Sequence, residues 1–294
     1  MDLHPFEVHV VDGTYELFRY HFGPSNRDPE FGATRGVLGS MVQLLEDGAT
    51  HVGVATDHVV ESFRNDLWAG YKTSAGMPPE LLAQFPLVED VLSAAGFAVW
   101  PQTEYEADDG MAAAAALAAA DGRVSRVLIC TPDKDLGQCV GGPVVQFDRR
   151  KGEIFDADGV RARLGVAPES VPDLLALVGD SADGFPGLPG WGAKSAAAVL
   201  SRWVHLERVP ADPADWDITV RGAVKLAATL REQFELAVLF RRIATVVADA
   251  PVSASVDEMR WAGPADPDAF AKLCATIDAP ALPARVGKLA ARLS

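Results

Sequence analysis

The chain has 294 residues, 49% of them hydrophobic, and a formal net charge of −15. A chain of this length and apolar content buries a sizeable core, which excludes a disordered protein as the default. The negative charge taken alone argues against a nucleic-acid partner, unless the acids are concentrated on metal ions and the bases on a local track.

The sequence predicts a cytoplasmic protein. Met1 to Phe6 has no basic region followed by an apolar run, so no signal peptide is expected. The alanine run Ala112 to Ala120 is shorter than the roughly 18 apolar residues of a membrane span. The three cysteines lack metal-ligand spacing and are expected to be reduced thiols that mostly fill the core: Cys130, Cys139 and Cys274.

In the first part of the chain, short apolar runs alternate with helical patterns. The predicted strands are Phe6–Val11, His51–Thr56, Phe97–Trp100, Val127–Thr131 and Val144–Phe147. The predicted helices between them are Ala33–Glu46, Glu80–Ala95 and Glu106–Ala120. This alternation predicts an α/β fold with a mostly parallel central sheet flanked by helices.

The pattern becomes helical after about Gly165. A loop rich in glycine and proline, Gly184–Gly192, interrupts it, and a long helix is predicted over Val220–Thr245. From about Pro251 the pattern indicates a loop followed by short helices. The expected regions are an α/β domain over 1–165, a helical region over 166–250 and a helical tail over 251–294.

Acidic residues stand where predicted strands end or helices begin. The groups are Asp12, Asp57, the set Glu106, Asp108 and Asp109, the pair Asp133 and Asp135, and the pair Asp180 and Asp183 at a helix end. In open α/β sheets, ligands bind beyond the carboxyl ends of the strands. We therefore expect the groups that follow strands to converge there.

Carboxylates brought together repel one another, so some would bind protons unless cations neutralise them. Hard divalent cations take oxygen ligands. Two such ions about 3.5–4 Å apart clamp a phosphodiester, one activating a water and the other stabilising the leaving oxygen. The acids therefore predict a site for two Mg²⁺ or Mn²⁺ ions.

Each acidic group also has a simpler interpretation. Asp12-Gly13 is compatible with a strand-end turn, and Glu106, Asp108 and Asp109 with acids that favour a helix N-terminus. Asp133 and Asp135 are compatible with a helix cap. Asp180 and Asp183 are compatible with a solvated helix end, although acids there oppose the helix dipole. So many acids at strand and helix ends would arise by chance much less often than any one of these groups alone.

Four segments resemble bacterial 5′→3′ exonucleases and flap endonucleases, a family that includes the N-terminal nuclease domain of family-A DNA polymerases. The first two are Val11-Asp-Gly-Thr14, with Phe18-Arg19 after it, and Thr103-Glu-Tyr-Glu-Ala-Asp-Asp109. The others are Thr131-Pro-Asp-Lys-Asp-Leu-Gly-Gln138 and Val178-Gly-Asp-Ser-Ala-Asp-Gly-Phe-Pro-Gly-Leu-Pro-Gly-Trp-Gly-Ala-Lys-Ser195. They occur in the family's order and spacing, from about Val8 to Trp203.

The resemblance implies a role for each acid. Asp12, Asp57, Glu106, Asp108 and Asp109 would hold or orient the first ion. Asp133 would bridge both ions, and Asp135, Asp180 and Asp183 would hold the second. The implied fold adds a helix–three-turn–helix (helix-hairpin-helix) region to the α/β sheet. The implied reaction is structure-selective hydrolysis of DNA near a 5′ end or 5′ flap, in replication or repair.

Basic residues supply the other implied contacts. Phe63-Arg64 and Tyr71-Lys72 resemble pairs at the base of the family's helical arch. Lys72 would stabilise charge on the scissile phosphate, Arg64 would steady the phosphate or the arch, and Arg19 a neighbouring phosphate. A surface lysine beside a tyrosine is the simpler interpretation of Lys72. The basic turn Arg149–Gly152 is expected to be a solvated hairpin tip between two strands.

The glycine-rich loop predicts a second phosphate contact. Gly187, Gly190 and Gly192 allow close backbone approach, and the following helix directs N–H groups towards a phosphate. Lys194 adds a charge, with Ser195 closing the motif. In the family such a hairpin grips duplex DNA, often with a K⁺ ion. An ordinary helix–helix turn is the alternative.

The sequence departs from the family pattern in three places. Thr56 precedes Asp57 where the family has Phe, and Gly184 stands where it often has Asn. Thr73–Gly76 lacks the basic residues that often follow Tyr-Lys, which puts the style of flap threading in doubt. No polymerase domain follows, so a stand-alone nuclease or a subunit that works with a DNA polymerase or repair partner is expected.

Two other functions fit parts of the pattern. One is a DNA-binding protein that has lost efficient cleavage, although every family carboxylate position is filled. The other is a ribonuclease with a related acidic site, which the duplex-binding hairpin disfavours.

Overall fold

The computed structural model describes residues 5–292. The strands are β1 (Phe6–Asp12), β2 (His51–Asp57), β3 (Ala98–Gln102), β4 (Val124–Cys130), β5 (Val144–Asp148) and β6 (Glu153–Phe155). The helices are α1 (Gly13–His21), α2 (Gly32–Glu46), α3 (Phe63–Leu67), α4 (Pro79–Leu82), α5 (Gln84–Ala94), α6 (Ala107–Ala119), α7 (Ala157–Leu164), α8 (Val171–Val178), α9 (Ala193–Trp203), α10 (Ala223–Glu232), α11 (Phe234–Ala244), α12 (Pro267–Thr276) and α13 (Leu282–Ala290). None of the helices in this part of the chain is long and apolar enough to cross a membrane.

Backbone contacts divide the chain into two compact units. The first takes residues 1–60, 74–131 and 247–294, and the second takes residues 61–73 and 132–246. Each unit is therefore built from segments that are distant in the sequence. The three regions predicted with boundaries at 165 and 250 stay a prediction.

A parallel sheet forms the centre of the first unit. Its strands follow the order β3-β2-β1-β4, and all three pairings are parallel. Val8, Val10 and Val11 of the central strand β1 are fully buried. Continuous burial is typical of a parallel strand covered on both faces. This confirms the predicted α/β class with a mostly parallel sheet, and the four predicted strands of this unit are present with shifted ends.

The start of α1 lies close against β2. Asp12 ends β1, and its Oδ1 accepts a hydrogen bond from Tyr15 N at 2.8 Å, which caps α1. A Cβ atom at Gly13 would lie 2.9 Å from Ala55 O, so the first turn requires a residue without a side chain there. The sequence analysis did not predict this helix, because Asp12-Gly13 also fits a strand-end turn.

The predicted helix Glu80–Ala95 is two helices, α4 and α5. Pro86 has no N–H to donate to the Leu82 carbonyl, so the hydrogen-bond ladder is interrupted where α4 ends. The helices predicted over Ala33–Glu46 and Glu106–Ala120 are confirmed as α2 and α6, with Glu106 as the N-cap of α6.

The C-terminal helices belong to the first unit. Helix α13 packs against α2, and α12 packs against α5. Trp261 N donates to Thr50 O at 2.9 Å, and its indole Nε1 donates to Ala95 O at 2.9 Å. The tail predicted after about Pro251 therefore covers the outer surfaces of α2 and α5.

Helices dominate the second unit, together with the antiparallel hairpin of β5 and β6. Helix α8 packs against α9 and α11, and the core contains Phe185, Phe240 and Leu175. The single helix predicted over Val220–Thr245 is wrong. Gln233 leaves the helical conformation with φ −118° and ψ 29°, which separates α10 from α11 and allows both to reach this core.

A buried carboxylate connects three segments of the second unit. The Asp173 side chain is 2% exposed, and its Oδ2 lies 2.9 Å from His205 Nδ1. Its Oδ1 accepts from Arg241 at 3.0 Å. Arg241 also binds Glu207, and this hydrogen bond lowers the pKa of Glu207 to about 2. The network ties α8 to α11 and to the segment after α9.

We expect Asp173→Asn to lower the free energy of unfolding by about 2 kcal/mol, because it removes a buried charge that is bonded to the partly buried Arg241 and His205. Urea unfolding followed by circular dichroism measures the loss. The control is Asp158→Asn, an 89% exposed partner of Arg161, expected to cost less than about 0.5 kcal/mol. If the two variants lose the same free energy of unfolding, the network around Asp173 does not stabilise the fold as inferred.

Candidate functional site

Five acids predicted to bind metal lie in the first unit, and we refer to them as the first carboxylate group: Asp12, Asp57, Glu106, Asp108 and Asp109. Asp12 ends β1 and Asp57 ends the neighbouring strand β2. The others belong to the start of α6. The parallel pairing of β1 with β2 brings the two strand-end acids to the same edge of the sheet, as the sequence predicted.

Hydrogen bonds fix the two strand-end acids. Asp12 Oδ2 accepts from Thr131 Oγ1 at 2.9 Å, in addition to the bond from α1. Asp57 N donates to Thr14 Oγ1 at 2.8 Å, and Asp57 Oδ1 accepts from Ala107 N at 2.6 Å. Asp57 therefore links the end of β2 to the start of α6.

Asp109 differs from the rest of the first carboxylate group. It is fully buried, and its Oδ2 accepts from Glu106 N at 3.0 Å. Its Oδ1 accepts from Val247 N at 2.8 Å. Since both oxygens bind backbone N–H groups in a buried position, Asp109 anchors the start of α6. Its predicted role in holding or orienting the first ion stays a prediction.

Four acids of the second unit form the second carboxylate group: Asp133, Asp135, Asp180 and Asp183. Asp133 and Asp135 lie at the start of the 3₁₀ helix Lys134–Cys139, and Asp180 and Asp183 lie in the loop after α8. Among residues 5–292, Asp135, Asp180 and Asp183 offer oxygen atoms that all lie within 4.8 Å of one another. Carboxylate oxygens at this separation suit a hard divalent cation.

Asp135 is the most perturbed member of the second carboxylate group. Burial raises its pKa well above the usual value, and the neighbouring carboxylates, Asp133 foremost, raise the pKa further. Asp135 Oδ1 is buried and accepts no hydrogen bond from the described residues. A buried carboxylate oxygen that accepts no hydrogen bond is suited to ligate a cation.

A lysine partly neutralises this group. Lys134 Nζ binds Asp180 Oδ2 and lies 3.5 Å from Asp135 Oδ1. Burial alone raises the pKa of Asp180, but the hydrogen bond and charge of Lys134 outweigh burial and lower it. Burial likewise opposes the charged form of Lys134, whereas Asp135 and Asp180 raise its pKa. The sequence analysis missed this lysine, although it stands between two predicted ligands in Asp-Lys-Asp.

Asp133 occupies the exposed rim of the second carboxylate group. Its Oδ1 accepts from Asp135 N at 3.0 Å, so it also caps the 3₁₀ helix. Its predicted role as a ligand shared by two ions stays a prediction.

Lys72 lies beside the second carboxylate group, in the same unit. Its Nζ is 2.9 Å from Asp183 Oδ1, and its backbone N donates to Asp183 O at 3.0 Å. The ammonium group is partly exposed. A cation held next to candidate metal ligands is placed where a phosphate oxygen would need neutralisation, so the predicted catalytic role keeps its physical basis.

Arg64 has a different setting from the one predicted. The residue is 3% exposed, and its Nε donates to Ile243 O at 2.8 Å. A terminal nitrogen donates to Thr245 O at 3.2 Å, and the guanidinium lies over the Phe63 ring. These contacts attach α3 to the C-terminal end of α11. The buried guanidinium bonded to carbonyls has a structural role, and its predicted role in steadying the phosphate or the arch stays a prediction.

Arg19 pairs with a buried acid on its own helix. Its guanidinium binds Glu16, which is almost completely buried, and stacks on Tyr20 at 4.2 Å. Burial works against the charge of Arg19, but Glu16 raises its pKa. The predicted contact with DNA stays a prediction for the exposed part of this side chain.

The glycine-rich loop is a tight hairpin in the second unit. A Cβ atom at Gly187 would lie 2.3 Å from Gly179 N, so the two backbones touch. Gly190 has φ 86°, whereas Gly192 is extended with φ −141° and has no conformational need for glycine. Ser195 Oγ binds the Gly192 backbone at the start of α9, and Lys194 is exposed. Ser195 therefore acts first as a helix cap.

Comparison with known proteins agrees with this geometry. Residues 7–165 match the family profile described as "5′-3′ exonuclease, N-terminal resolvase-like domain", and residues 166–267 match "5′-3′ exonuclease, C-terminal SAM fold". The sequence is 33% identical over 264 residues to DNA polymerase I of Bacillus caldotenax, covering 86% of this chain and 29% of that protein. It is 32% identical to DNA polymerase I of Pseudomonas aeruginosa, covering 85% of this chain and 28% of that protein. The chain thus spans less than a third of these relatives.

Solved structures share the fold. The T5 5′-exonuclease with bound zinc ions superposes with a TM-score of 0.67 at 19% identity, covering 92% of this chain and 99% of that one. The catalytic core of Rad2 in complex with DNA substrate superposes with a TM-score of 0.62 at 17% identity, covering 99% of this chain and 93% of that one. At these identities the likeness establishes the fold.

We expect Mn²⁺ binding to release protons, and to release fewer of them at a higher pH than at a lower one. The raised pKa of Asp135 keeps the carboxyl protonated above its usual range, and a cation binds only the carboxylate. Titration calorimetry in buffers of different ionisation enthalpy measures the release. Asp135→Asn should remove most of it and Asp158→Asn none. Binding heats that do not depend on the buffer at the lower pH would contradict this assignment.

Proposed function

This chain belongs to the 5′-3′ exonuclease family, and we propose that it is a structure-selective nuclease that hydrolyses DNA phosphodiesters near a 5′ end or 5′ flap. The observation that carries the proposal is the second carboxylate group. Three of its oxygens lie within 4.8 Å, and the buried Asp135 Oδ1 has no hydrogen-bond donor among the described residues. Such a set is costly without a cation and well suited to one.

We assign one divalent ion, Mg²⁺ or Mn²⁺, to each carboxylate group. Asp12, Asp57, Glu106 and Asp108 would hold the first ion, and Asp135, Asp180 and Asp183 the second. The assignment of Asp133 to both ions rests on the sequence resemblance. Two observations support divalent ions here: the donors are all carboxylate oxygens, and the T5 5′-exonuclease of the same fold binds zinc.

The ions, when bound, supply Lewis-acid chemistry that activates a water molecule and stabilises the leaving oxygen. The chain's own residues supply position and charge. Hydrogen bonds from Thr131 and Ala107 orient Asp12 and Asp57. Lys72 places an ammonium beside the second carboxylate group, where it stabilises negative charge that develops on the phosphate.

The hairpin supports duplex DNA as the substrate. Gly187 and Gly190 keep side chains away from the turn, α9 begins directly after it, and Lys194 is exposed. Backbone N–H groups and one lysine bind a phosphate without reading bases, so contacts here position DNA and do not select sequence. The Rad2 and T5 flap endonuclease structures that contain DNA support the same substrate class. A K⁺ ion held by the hairpin carbonyls is part of the proposal.

The relatives suggest the setting of the activity. They are DNA polymerases I, and this chain covers 29% and 28% of the two. We propose that the nuclease works with a DNA polymerase or another repair protein that supplies or fills the DNA it trims.

We expect Asp133→Asn to reduce Mg²⁺-dependent cleavage of a labelled 5′-flap DNA by about 100-fold or more, because it removes a ligand assigned to both ions. DNA binding, measured by fluorescence anisotropy in Ca²⁺, should stay within about threefold. Asp158→Asn is the matched control, since it also removes one carboxylate of the second unit but lies outside the site.

Cleavage near the flap junction, abolished by EDTA and by Asp133→Asn, is the expected outcome. Near-normal turnover of Asp133→Asn would refute the ligand assignment. Binding of DNA by the wild type without cleavage in Mg²⁺ or Mn²⁺ would favour a DNA-binding protein. Faster cleavage of a matched RNA flap would favour a ribonuclease.

Lys194→Ala should weaken DNA binding and reduce the slope of log K against log salt concentration by about 0.9, the contribution of one phosphate contact. Lys151→Ala is the control, because Lys151 lies in the basic turn beside Asp148 and Glu153. Anisotropy titrations over a range of KCl concentrations give both slopes. An unchanged slope for Lys194→Ala would remove this residue from the DNA-binding surface.

A further inference from the structure

The residues on either side of Asp57 share a single partner. Thr56 precedes Asp57 and is buried, and His58 follows it with a partly exposed side chain. Thr56 is the residue that departs from the Phe expected in this family. The departure puts a hydroxyl group into the buried layer next to a candidate metal ligand, and a buried hydroxyl needs a hydrogen-bond partner.

That partner is Glu89 of α5. Its side chain is 7% exposed, and its Oε1 accepts from Thr56 Oγ1 at 2.7 Å. Its Oε2 lies 2.7 Å from His58 Nδ1. Each carboxylate oxygen therefore binds one neighbour of Asp57. A buried carboxylate is retained only where such bonds compensate for the loss of water.

The two bonds hold the strand from the face opposite to Asp57. Side chains alternate along an extended chain, so Thr56 and His58 point to one face and Asp57 to the other. On its own face, Asp57 Oδ1 binds the N–H of Ala107 at the start of α6. Glu89 on α5 and Ala107 on α6 thus clamp the end of β2 between two helices.

We propose that Glu89 is a positioning residue for the first carboxylate group: it fixes Asp57 through Thr56 and His58. The inference rests on the proposed function, because it assigns Asp57 to a divalent ion. Metal ligands must be held close to their productive geometry, and partners behind the ligands typically change metal affinity by about 10- to 100-fold when removed.

The test compares two buried hydrogen-bonding residues of the same helix. Glu89→Leu removes the clamp. Gln84→Leu removes a second buried hub of α5, whose amide accepts from Thr34 and donates to Pro29 O, away from Asp57. Both variants are made in the full chain and in an Asp180→Asn background, which weakens the second carboxylate group. Free Mn²⁺ is followed by electron paramagnetic resonance, and thermal midpoints are recorded in EDTA.

We expect Glu89→Leu to weaken Mn²⁺ binding about tenfold in the Asp180→Asn background, and to lower kcat for flap cleavage in the full chain with KM for DNA nearly unchanged. Gln84→Leu should lower the thermal midpoint comparably and leave Mn²⁺ affinity and kcat near wild type. Glu89→Gln should keep most of the wild-type Mn²⁺ affinity and most of the wild-type kcat, because its amide oxygen still accepts from Thr56 and its amide nitrogen donates to His58.

Unchanged Mn²⁺ affinity in Glu89→Leu, or an equal loss in Gln84→Leu, overturns the inference. If Glu89→Leu does not fold, Thr56→Val decides in the same way, because it removes one arm of the clamp and keeps the size of the side chain. The result is separable from the proposed function. If the wild type binds Mn²⁺ but cuts no flap, the proposed function fails, and the Mn²⁺ affinities alone decide the role of Glu89.

Discussion

The constraint on which the structure depends is the mutual repulsion of carboxylates that are partly removed from water. In the second carboxylate group, burial and neighbouring carboxylates raise the pKa of Asp135. Lys134, 3.5 Å from Asp135, and Lys72, 2.9 Å from Asp183, partly neutralise the group. In the first carboxylate group, backbone N–H groups and a hydroxyl group donate hydrogen bonds to Asp12 and Asp57. Both arrangements lower the cost of the charges without removing them. They keep carboxylate oxygens oriented, and in the second carboxylate group three of these oxygens lie close enough together to suit a divalent cation.

Buried charged residues away from the reacting groups hold this arrangement in place. Asp109 anchors the start of α6, and Glu89 clamps the end of β2. Arg64 closes the C-terminal end of α11, and Asp173 joins α8 to the same helix. Each is costly to bury alone and is retained where a backbone group or a charged partner satisfies it.

The sequence predicts the parallel sheet well, because its strands are continuous apolar runs, and it predicts which acids follow them. Prediction fails where the outcome depends on distant partners. Arg64 and Asp109 stand in motifs, but only the fold shows that Arg64 donates to the Ile243 carbonyl and that Asp109 accepts from the Val247 N–H. No motif around Glu89 indicates its role, since its partners lie more than thirty positions earlier in the chain. The division of the helix predicted over Val220–Thr245 follows from packing, because a continuous helical pattern spans Gln233.

The interleaving of the two units has a consequence for synthesis on the ribosome. The sheet of the first unit forms from residues 6–12, 51–57, 98–102 and 124–130, yet α12 and α13 pack against α5 and α2 only after residues 132–246 have been made. Until then, the surfaces of α2 and α5 that receive these helices are exposed. The first unit is therefore partly uncovered, and prone to aggregation, while the second unit is made and folds. Premature termination before Trp261 would leave a protein that carries every acid of the site but lacks part of its covering.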